Sequence, residues 1–565
     1  MKRFFIFLFL TGILINDVFG QADSVTIRGT LMNLSGRLYR EASSITFSRN
    51  NILAPTTEFS VNAPLQPDGS FTAKLPILAG AEEIYLDYGG KVFATFLAKA
   101  GVVEITFDAD SMFKAKKLFH FKGEYADANN YYPAYLEQEN KLYEANRPLG
   151  PEFQRTFWNQ GLQSARQTLL QRGNLRQRAL TALLSEGKQS PDLTLWVNSL
   201  VEDESAALLM EYSLGNDVNL NASDHMEMKR FITTPLTYQK VLRAQLFKSY
   251  AARTAERLSG RNAGSLPVEK IAELVLRYVS PLSTQERDKL RLILEKKNVN
   301  REELDFMSNI YKRGGEKLIL IANFERSVAA VREHFEEGPA LEFLIASAFA
   351  DNFYQYTLEE KKILFEHLKD KILNATIKLS LEELYRLEVK DSANIQLVWD
   401  RPSSENPVEI LPNIWLAESN QNGKSWLDKI IALYQGRTIY VMNWDLYNDM
   451  NREDLASANF LRASVPRDVV FLFLHVTDPD RPQLEGTGPN RKERNLWKQY
   501  IVRHNLLGTH LYLNVDQVMQ LGLRTPYLPG TYYIIRPDGK FHSRNAPSPQ
   551  NIAEAAAAIR TANHK

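Results

Sequence analysis

The stretch GRTIYVMNWDLYNDMNREDLASAN, Gly436 to Asn459, decides how this chain is read. Thr438 to Met442 is an uninterrupted run suited to a buried strand. Trp444 and Tyr447 follow in a turn, and a helix is expected from Asn448 or Asp449. Asparagine at a helix start accepts an amide hydrogen bond that the first turn cannot satisfy internally. A buried strand running through an aromatic turn into a capped helix is therefore the local unit from which the rest is built.

Around it, residues 412–565 alternate strand and helix. Ile414 to Leu416 reads as a short strand, Asn422-Gly423-Lys424 as a turn, and Ser425 to Tyr434 as a helix. After the quoted stretch come an apolar strand, Val469 to Val476, and a helix from about Arg491 to His504. Strand His510 to Asn514, an antiparallel pair at Tyr532 to Ile535 and Phe541, and a helix Asn551 to Ala562 complete the order. Such alternation is the pattern of an α/β sheet with helices on its faces.

Upstream, residues 389–411 contain Arg401-Pro402-Ser403-Ser404 and Asn406-Pro407 and read as an extended linker or strap. Residues 125–388 are helical throughout. Ser190-Pro191 marks a helix start, and Ser283…Glu286, Thr357…Glu360 and Ser380…Glu383 have the spacing of capping boxes. Residues 21–124 are β-rich: SVTIRGTL, SSITFS, TEFSV, GSFTAKL, EEIYLDY, VFATFLA and VVEITFDA are short runs separated by turns such as Pro67-Asp68-Gly69. Strands at this spacing imply a small β-sandwich. Before them, Lys2 and Arg3 precede the apolar run Phe4 to Ile15, and Val18-Phe19-Gly20 offers small residues before Gln21. Residues 1–20 thus read as a secretory signal peptide. The organisation expected is multidomain α+β: a leader, a β-sandwich, an all-helical middle domain, a linker and a C-terminal α/β sandwich.

Composition narrows the chemistry. The 565 residues carry 68 basic and 67 acidic side chains, which leaves no electrostatic footprint for nucleic acid. There is no cysteine, which excludes disulfides, thiolate metal sites, iron–sulfur clusters, thiol nucleophiles and a lipid-anchoring cysteine. Beyond the leader, no segment has the ~20 apolar residues of a membrane span. No phosphate-binding loop, His-Glu-x-x-His or Gly-x-Ser-x-Gly pattern is present, and no cofactor or metal is expected. His475 with Asp478, Asp480 and Glu485 is weighed as a cation site against solvated loop residues, and the loop reading is favoured.

Four landmarks, in order, carry a resemblance. They are Pro412 with Ile414 and Leu416; Asn422-Gly423-Lys424 with Gly436-Arg437; Asp478-Pro479-Asp480 with Trp497; and Leu528-Pro529-Gly530-Thr531-Tyr532 with Arg536-Pro537-Asp538-Gly539-Lys540-Phe541. Over about 150 residues the C-terminal block resembles exported bacterial thioredoxin-like proteins of the thiol–disulfide oxidoreductase (TlpA-like) type. The N-terminal run with Ile27-Arg28-Gly29, Asp68-Gly69-Ser70-Phe71 and Phe121-Lys122-Gly123 is similar to the β domain that precedes many of them. The resemblance implies a thioredoxin-like α/β sandwich, a cis proline at Pro529, and Leu528 and Pro529 lying close to Asn448. The family opens its redox helix with Cys-x-x-Cys; the matching positions here are Asn448, Asp449, Met450 and Asn451. Gly530, between the proline and the threonine, departs from the family pattern.

Asparagine can cap a helix but cannot attack a disulfide or a peroxide. The functional expectation is therefore an exported, redox-inactive protein, periplasmic or secreted, with a binding or scaffolding role at the cell envelope. A groove around Trp444, Tyr447, Leu528 and Pro529 would take an extended peptide or an envelope protein. Trp444, Tyr447, Tyr527 and Tyr532 either form an aromatic surface there or are core and rim packing. Two alternatives are an enzyme with a non-thiol site in or beside the helical domain, and an oxidoreductase by family membership only.

Overall fold

A computed structural model describes residues 23–115, 117–221, 232–259, 266–296, 299–399, 404–446, 448–476, 491–521 and 531–563. The fold is mixed α/β, with three sheets and a helical region. Two compact units separate: residues 1–353 with 362–384, and residues 354–361 with 385–565.

The first unit begins with β1 (Ser24–Met32), β2 (Ser44–Asn51), β3 (Ala54–Pro64), β4 (Ser70–Pro76), β5 (Glu82–Tyr88), β6 (Val92–Ala98), β7 (Gly101–Asp108) and β8 (His120–Gly123). They form two four-stranded sheets, ordered β4-β1-β7-β8 and β3-β2-β5-β6. Alternation puts Val25 and Ile27 of one sheet and Ile45 and Phe47 of the other into one apolar core. The rings of Phe47 and Phe71, from opposite sheets, lie 6.0 Å apart. Gly29 permits the parallel pairing of β1 with β7, because a Cβ there would fall 1.8 Å from the carbonyl oxygen of Ile105. Sequence pattern alone passes over β8 and the short helix Gly36–Glu41. Four and six residues are too few to show a period.

Helices then follow from Ala126 onward. Ser190 accepts the amide of Leu193 with Pro191 in the first turn, and Ser283 with Glu286 closes a reciprocal capping box. Thr357 and Glu360 do the same, through amide contacts of 2.8 and 3.3 Å. Ser380 and Glu383, however, are not a helix start: they lie inside helix Ala375–Trp399. Asn374 caps instead, accepting from the amide of Ile377, while Glu383 reaches the buried guanidinium of Arg49. A serine three residues before a glutamate fits a cap or an interior turn, and the tertiary partner decides which. The same helix corrects the expected linker, since residues 389–399 are helical. They contain neither proline nor glycine, and the first helix-stopping residue is Pro402.

The second unit holds a seven-stranded sheet built from β9 (Val408–Leu411), β10 (Ile414–Glu418), β11 (Ile439–Trp444), β12 (Val470–Val476), β13 (Gly508–Leu513), β14 (Tyr532–Ile535) and β15 (Phe541–Ser543). The order is β15-β14-β11-β12-β13-β10-β9. Neighbours from β10 through β13 and β12 to β11 are parallel; β9, β14 and β15 join antiparallel. Burial on both faces explains why β11 and β12 read as continuous apolar runs. Tyr440, Met442, Trp444, Phe471 and Phe473 pack with Leu455, Leu461, Trp497, Ile501 and Ile559 from helices Asp449–Ala463, Arg491–Arg503 and Ile552–Asn563. Ile439, Val441, Leu472 and Leu474 pack on the other face with Trp426, Ile430 and Val518, from helices Gly423–Leu433 and Val515–Gln520.

Candidate functional site at the end of the central strand

In a sheet of this kind, ligands favour the crevice beyond the carboxyl ends of parallel strands, at the point where neighbours lie to either side of one strand. Here that strand is β11. The chain leaves it for β12 on one side and returns later as β14 on the other. Trp444 pairs with His475, and Met442 with Tyr532. Beyond Trp444 the chain turns, the amide of Asn448 donating to the carbonyl of Asp445 at 3.2 Å, and helix Asp449–Ala463 begins. Asn448 is half-buried just before the first turn, and Asp449, Met450 and Asn451 form that turn. No thiol stands at these positions. The only sulfur among them is the thioether of Met450, which has no proton to lose.

The segment before β14 is fastened to the same strand end. Asn443 donates its backbone amide to the carbonyl of Thr531 at 3.1 Å, and its side-chain amide to the Thr531 hydroxyl at 2.7 Å. Sequence alone does not show this clamp, because an asparagine within an apolar run carries no signal of its partner. Leu528 and Pro529, three and two residues earlier, lie outside the described residues, as do Tyr447 and Tyr527.

Two of the four aromatics are core. Trp444 is 2% exposed, edge-on to His475 at 5.2 Å and tilted against Tyr500 at 5.5 Å. Of the two readings open for it, groove wall or core packing, its burial accords with the second. Parity on β11 explains this, since Trp444 shares its face with Tyr440 and Met442. Tyr532 is buried too, stacked on Tyr440 with its hydroxyl donating to Asp454. The second Asp454 oxygen accepts from the Ser548 hydroxyl at 2.8 Å. Burial and the neighbouring Asp454 carboxylate together push the Tyr532 phenol up.

His475 is fully buried at the end of β12, stacked 5.0 Å from Tyr512. Its Nε2 accepts the amide of Leu446 at 3.4 Å and lies 3.7 Å from Glu493. The imidazole thus holds the turn after β11. Asp478, Asp480 and Glu485 lie outside the described residues. Among the described residues, no group of three His, Asp or Glu is placed to hold a metal ion.

In the first unit, two buried carboxylates, Glu83 and Glu325, meet partners from neighbouring elements. Glu83 accepts from Trp196 Nε1 at 2.7 Å, the amide of Tyr238 at 2.8 Å and the hydroxyl of Tyr85 at 3.1 Å. Burial raises its carboxyl above the ordinary range in spite of these donors. Glu325 meets His367 at 2.6 Å, Lys371 at 2.9 Å and Arg332 at 3.2 Å. Burial opposes its ionisation, but the His367 hydrogen bond and the Arg332 and Lys371 charges outweigh it and hold the carboxyl low. Tyr278 completes the chain with its hydroxyl 2.6 Å from His367 Nδ1. Most of these contacts join helix to helix or helix to sheet, and they offset part of the cost of burying the charges.

No family model matches the chain, and no curated protein matches it. Among solved structures it is similar to a thiol–disulfide oxidoreductase from Bacteroides vulgatus, with 18% identity over 23% of this chain and 76% of that one, at a TM-score of 0.19. It is also similar to a secreted Mycobacterium tuberculosis disulfide oxidoreductase, with 17% identity over 23% of this chain and 85% of that one, at a TM-score of 0.18. Among the described residues, no helix is long and apolar enough to cross a membrane.

Proposed function

We propose that residues 412–565 form a thioredoxin-like domain stripped of its redox chemistry, and that the protein binds or scaffolds an extended segment of an envelope partner. In this reading residues 1–20 are a signal peptide that directs export to the periplasm or beyond. Residues 21–124 are a β-sandwich domain, and the helical domain begins at 125. The observation that carries the reading is the architecture at the end of β11. A central strand runs into helix Asp449–Ala463 while Asn443 clamps Thr531, which follows Leu528 and Pro529 closely in sequence. The helix start and the segment ahead of β14 are thereby brought to one end of the sheet. The attacking group in thiol–disulfide exchange is a thiolate, and this chain contains none.

With Trp444 and Tyr532 buried, the recognition surface consists of the helix start at Asn448 and the segments carrying Tyr447, Leu528 and Pro529. Backbone groups flanking such a helix start can pair with an extended peptide, as a sheet edge does. Two measurements test this. Reduction of insulin by dithiothreitol is expected to proceed at the same rate with and without the protein; acceleration in proportion to its concentration refutes the redox-inactive reading. Photo-cross-linking in the native compartment is expected to capture a partner whose yield falls with Tyr447→Ala and with Pro529→Ala. Unchanged capture by both variants refutes the groove.

A further inference from the structure

The face of β11 opposite Trp444 opens into a cleft of about 920 Å3, between helix Gly423–Leu433 and the β14–β15 hairpin. This lies within the size range of small-molecule sites. Ile439 and Val441 of β11 with Ile535 of β14 form its floor, each under 5% exposed, and the apolar surface open to the cleft is that of Leu427, Ile431, Tyr533 and Phe541. The floor belongs to the Trp426 and Ile430 side of the sheet. The cleft is therefore separated by the sheet itself from the helix that starts at Asp449.

The charges lining the cleft are unequal. Lys424, Arg437, Arg536 and Arg544 meet only Asp428 and Asp538, a surplus of two positive charges. Arg536 lies 3.8 Å from Asp538. Arg437 spends its Nε on the carbonyl of Asp468 at 2.6 Å, a contact that leaves its charge uncompensated. Arg544 rests on the ring of Phe541, 4.7 Å from the centroid, and Lys424 has no carboxylate partner among the described residues. Cations beside a low-dielectric apolar surface attract an anion more strongly than the same cations in open water. Guanidinium groups suit a carboxylate because two parallel N–H donors match its two oxygens.

We propose that this cleft binds an amphipathic monocarboxylate, its apolar tail against Leu427, Ile431, Tyr533 and Phe541 and its carboxylate between Arg536 and Arg544. An inorganic anion would leave the exposed apolar side chains wet, and an apolar cation would face the surplus positive charge. The proposal is independent of the groove at Asn448 and stands or falls without it.

Isothermal titration of the full chain with decanoate, below its micellar concentration, tests the site. One saturable equivalent is expected, with acetate and decylammonium each at least tenfold weaker. The Arg536→Gln/Arg544→Gln double variant is expected to weaken decanoate at least tenfold, and Phe541→Ala to weaken it as well. Lys424→Gln, at an exposed helical position, supplies a second charge test and is expected to weaken decanoate severalfold. Circular dichroism serves as the folding control. Equal affinity for decylammonium, unchanged affinity in the folded charge variants, or no saturable binding of decanoate would each overturn the proposal.

Discussion

His510 offers a quantitative test of the packing in the second unit. It sits on β13 with no solvent exposure, its ring stacked on Phe473 at 4.5 Å and only 6° from parallel. Nε2 lies 2.8 Å from the carbonyl oxygen of Leu506, so that nitrogen carries the proton and donates. Nδ1 has no hydrogen-bond partner among the described residues. Burial pushes the imidazole down to about 3, the bond to Leu506 opposing this only weakly. An unfolded histidine titrates near 6.5. Between these values the unfolded chain takes up a proton that the folded chain refuses, so stability falls as pH falls. The contribution is complete above about pH 7 and lost progressively toward pH 3. At pH 4.5 the loss is about 2.7 kcal/mol, from two pH units at about 1.36 kcal/mol each. His510→Gln keeps an N–H for Leu506 but cannot ionise. It is expected to be less stable than wild type at pH 7.5, through lost stacking, and to close the gap by about 2.7 kcal/mol at pH 4.5. Because the chain has two compact units, the readout should be local: hydrogen exchange of β13 peptides through a urea titration at each pH. A gap independent of pH would refute the argument that His510 is buried in its neutral form.

The first unit should show the opposite sign. Burial raises the Glu82 carboxyl to about 7, with Arg49 and the amides of Ala79 and Leu78 opposing. Its stability contribution is full below the ordinary carboxylate value and lost as pH rises through 7. Wild type should therefore lose up to about 3 kcal/mol relative to Glu82→Gln between pH 4.5 and 8, measured by hydrogen exchange of β5. A difference that grows in favour of wild type over that interval would contradict the assignment. In the second unit, Tyr532→Phe removes the donor to Asp454 and leaves that carboxylate with Ser548. A loss of about 1–3 kcal/mol is expected, seen as a lower urea midpoint for β14 exchange; no loss would mean the bond contributes nothing net.

Much of the C-terminal fold was legible because its signals are local. Val469 to Val476, with one polar residue in eight, has the pattern of a buried strand, and the structure places β12 over Val470–Val476. The helix after β11 was legible from Asn448 and Asp449, because capping chemistry belongs to the residue and its next turn. β9 and helix Val515–Gln520 leave no such local signal. Each is too short for a period, and the capping box of Asn514 with Gln517 within the latter makes sense only once the chain is known to turn there. Ser380 shows the reverse error: a capping spacing was present, but Glu383 already had a partner in Arg49 on a distant strand.

By itself, the sequence determined what does not depend on contact between distant residues. The absence of any thiol removes an entire class of chemistry whatever the fold. The alternation of strand and helix after residue 412, and the strand-to-helix junction at Trp444 to Asp449, follow from local pattern. Tertiary structure alone decided which face each residue meets. It put Trp444 and Tyr532 into the core rather than onto a groove, joined Asn443 to Thr531 across 88 residues of chain, and left Ile439 and Val441 under a cationic cleft. The reason is geometric. Alternation along a strand assigns residues to two faces, but only the neighbouring helices determine which face is sealed and which is left open.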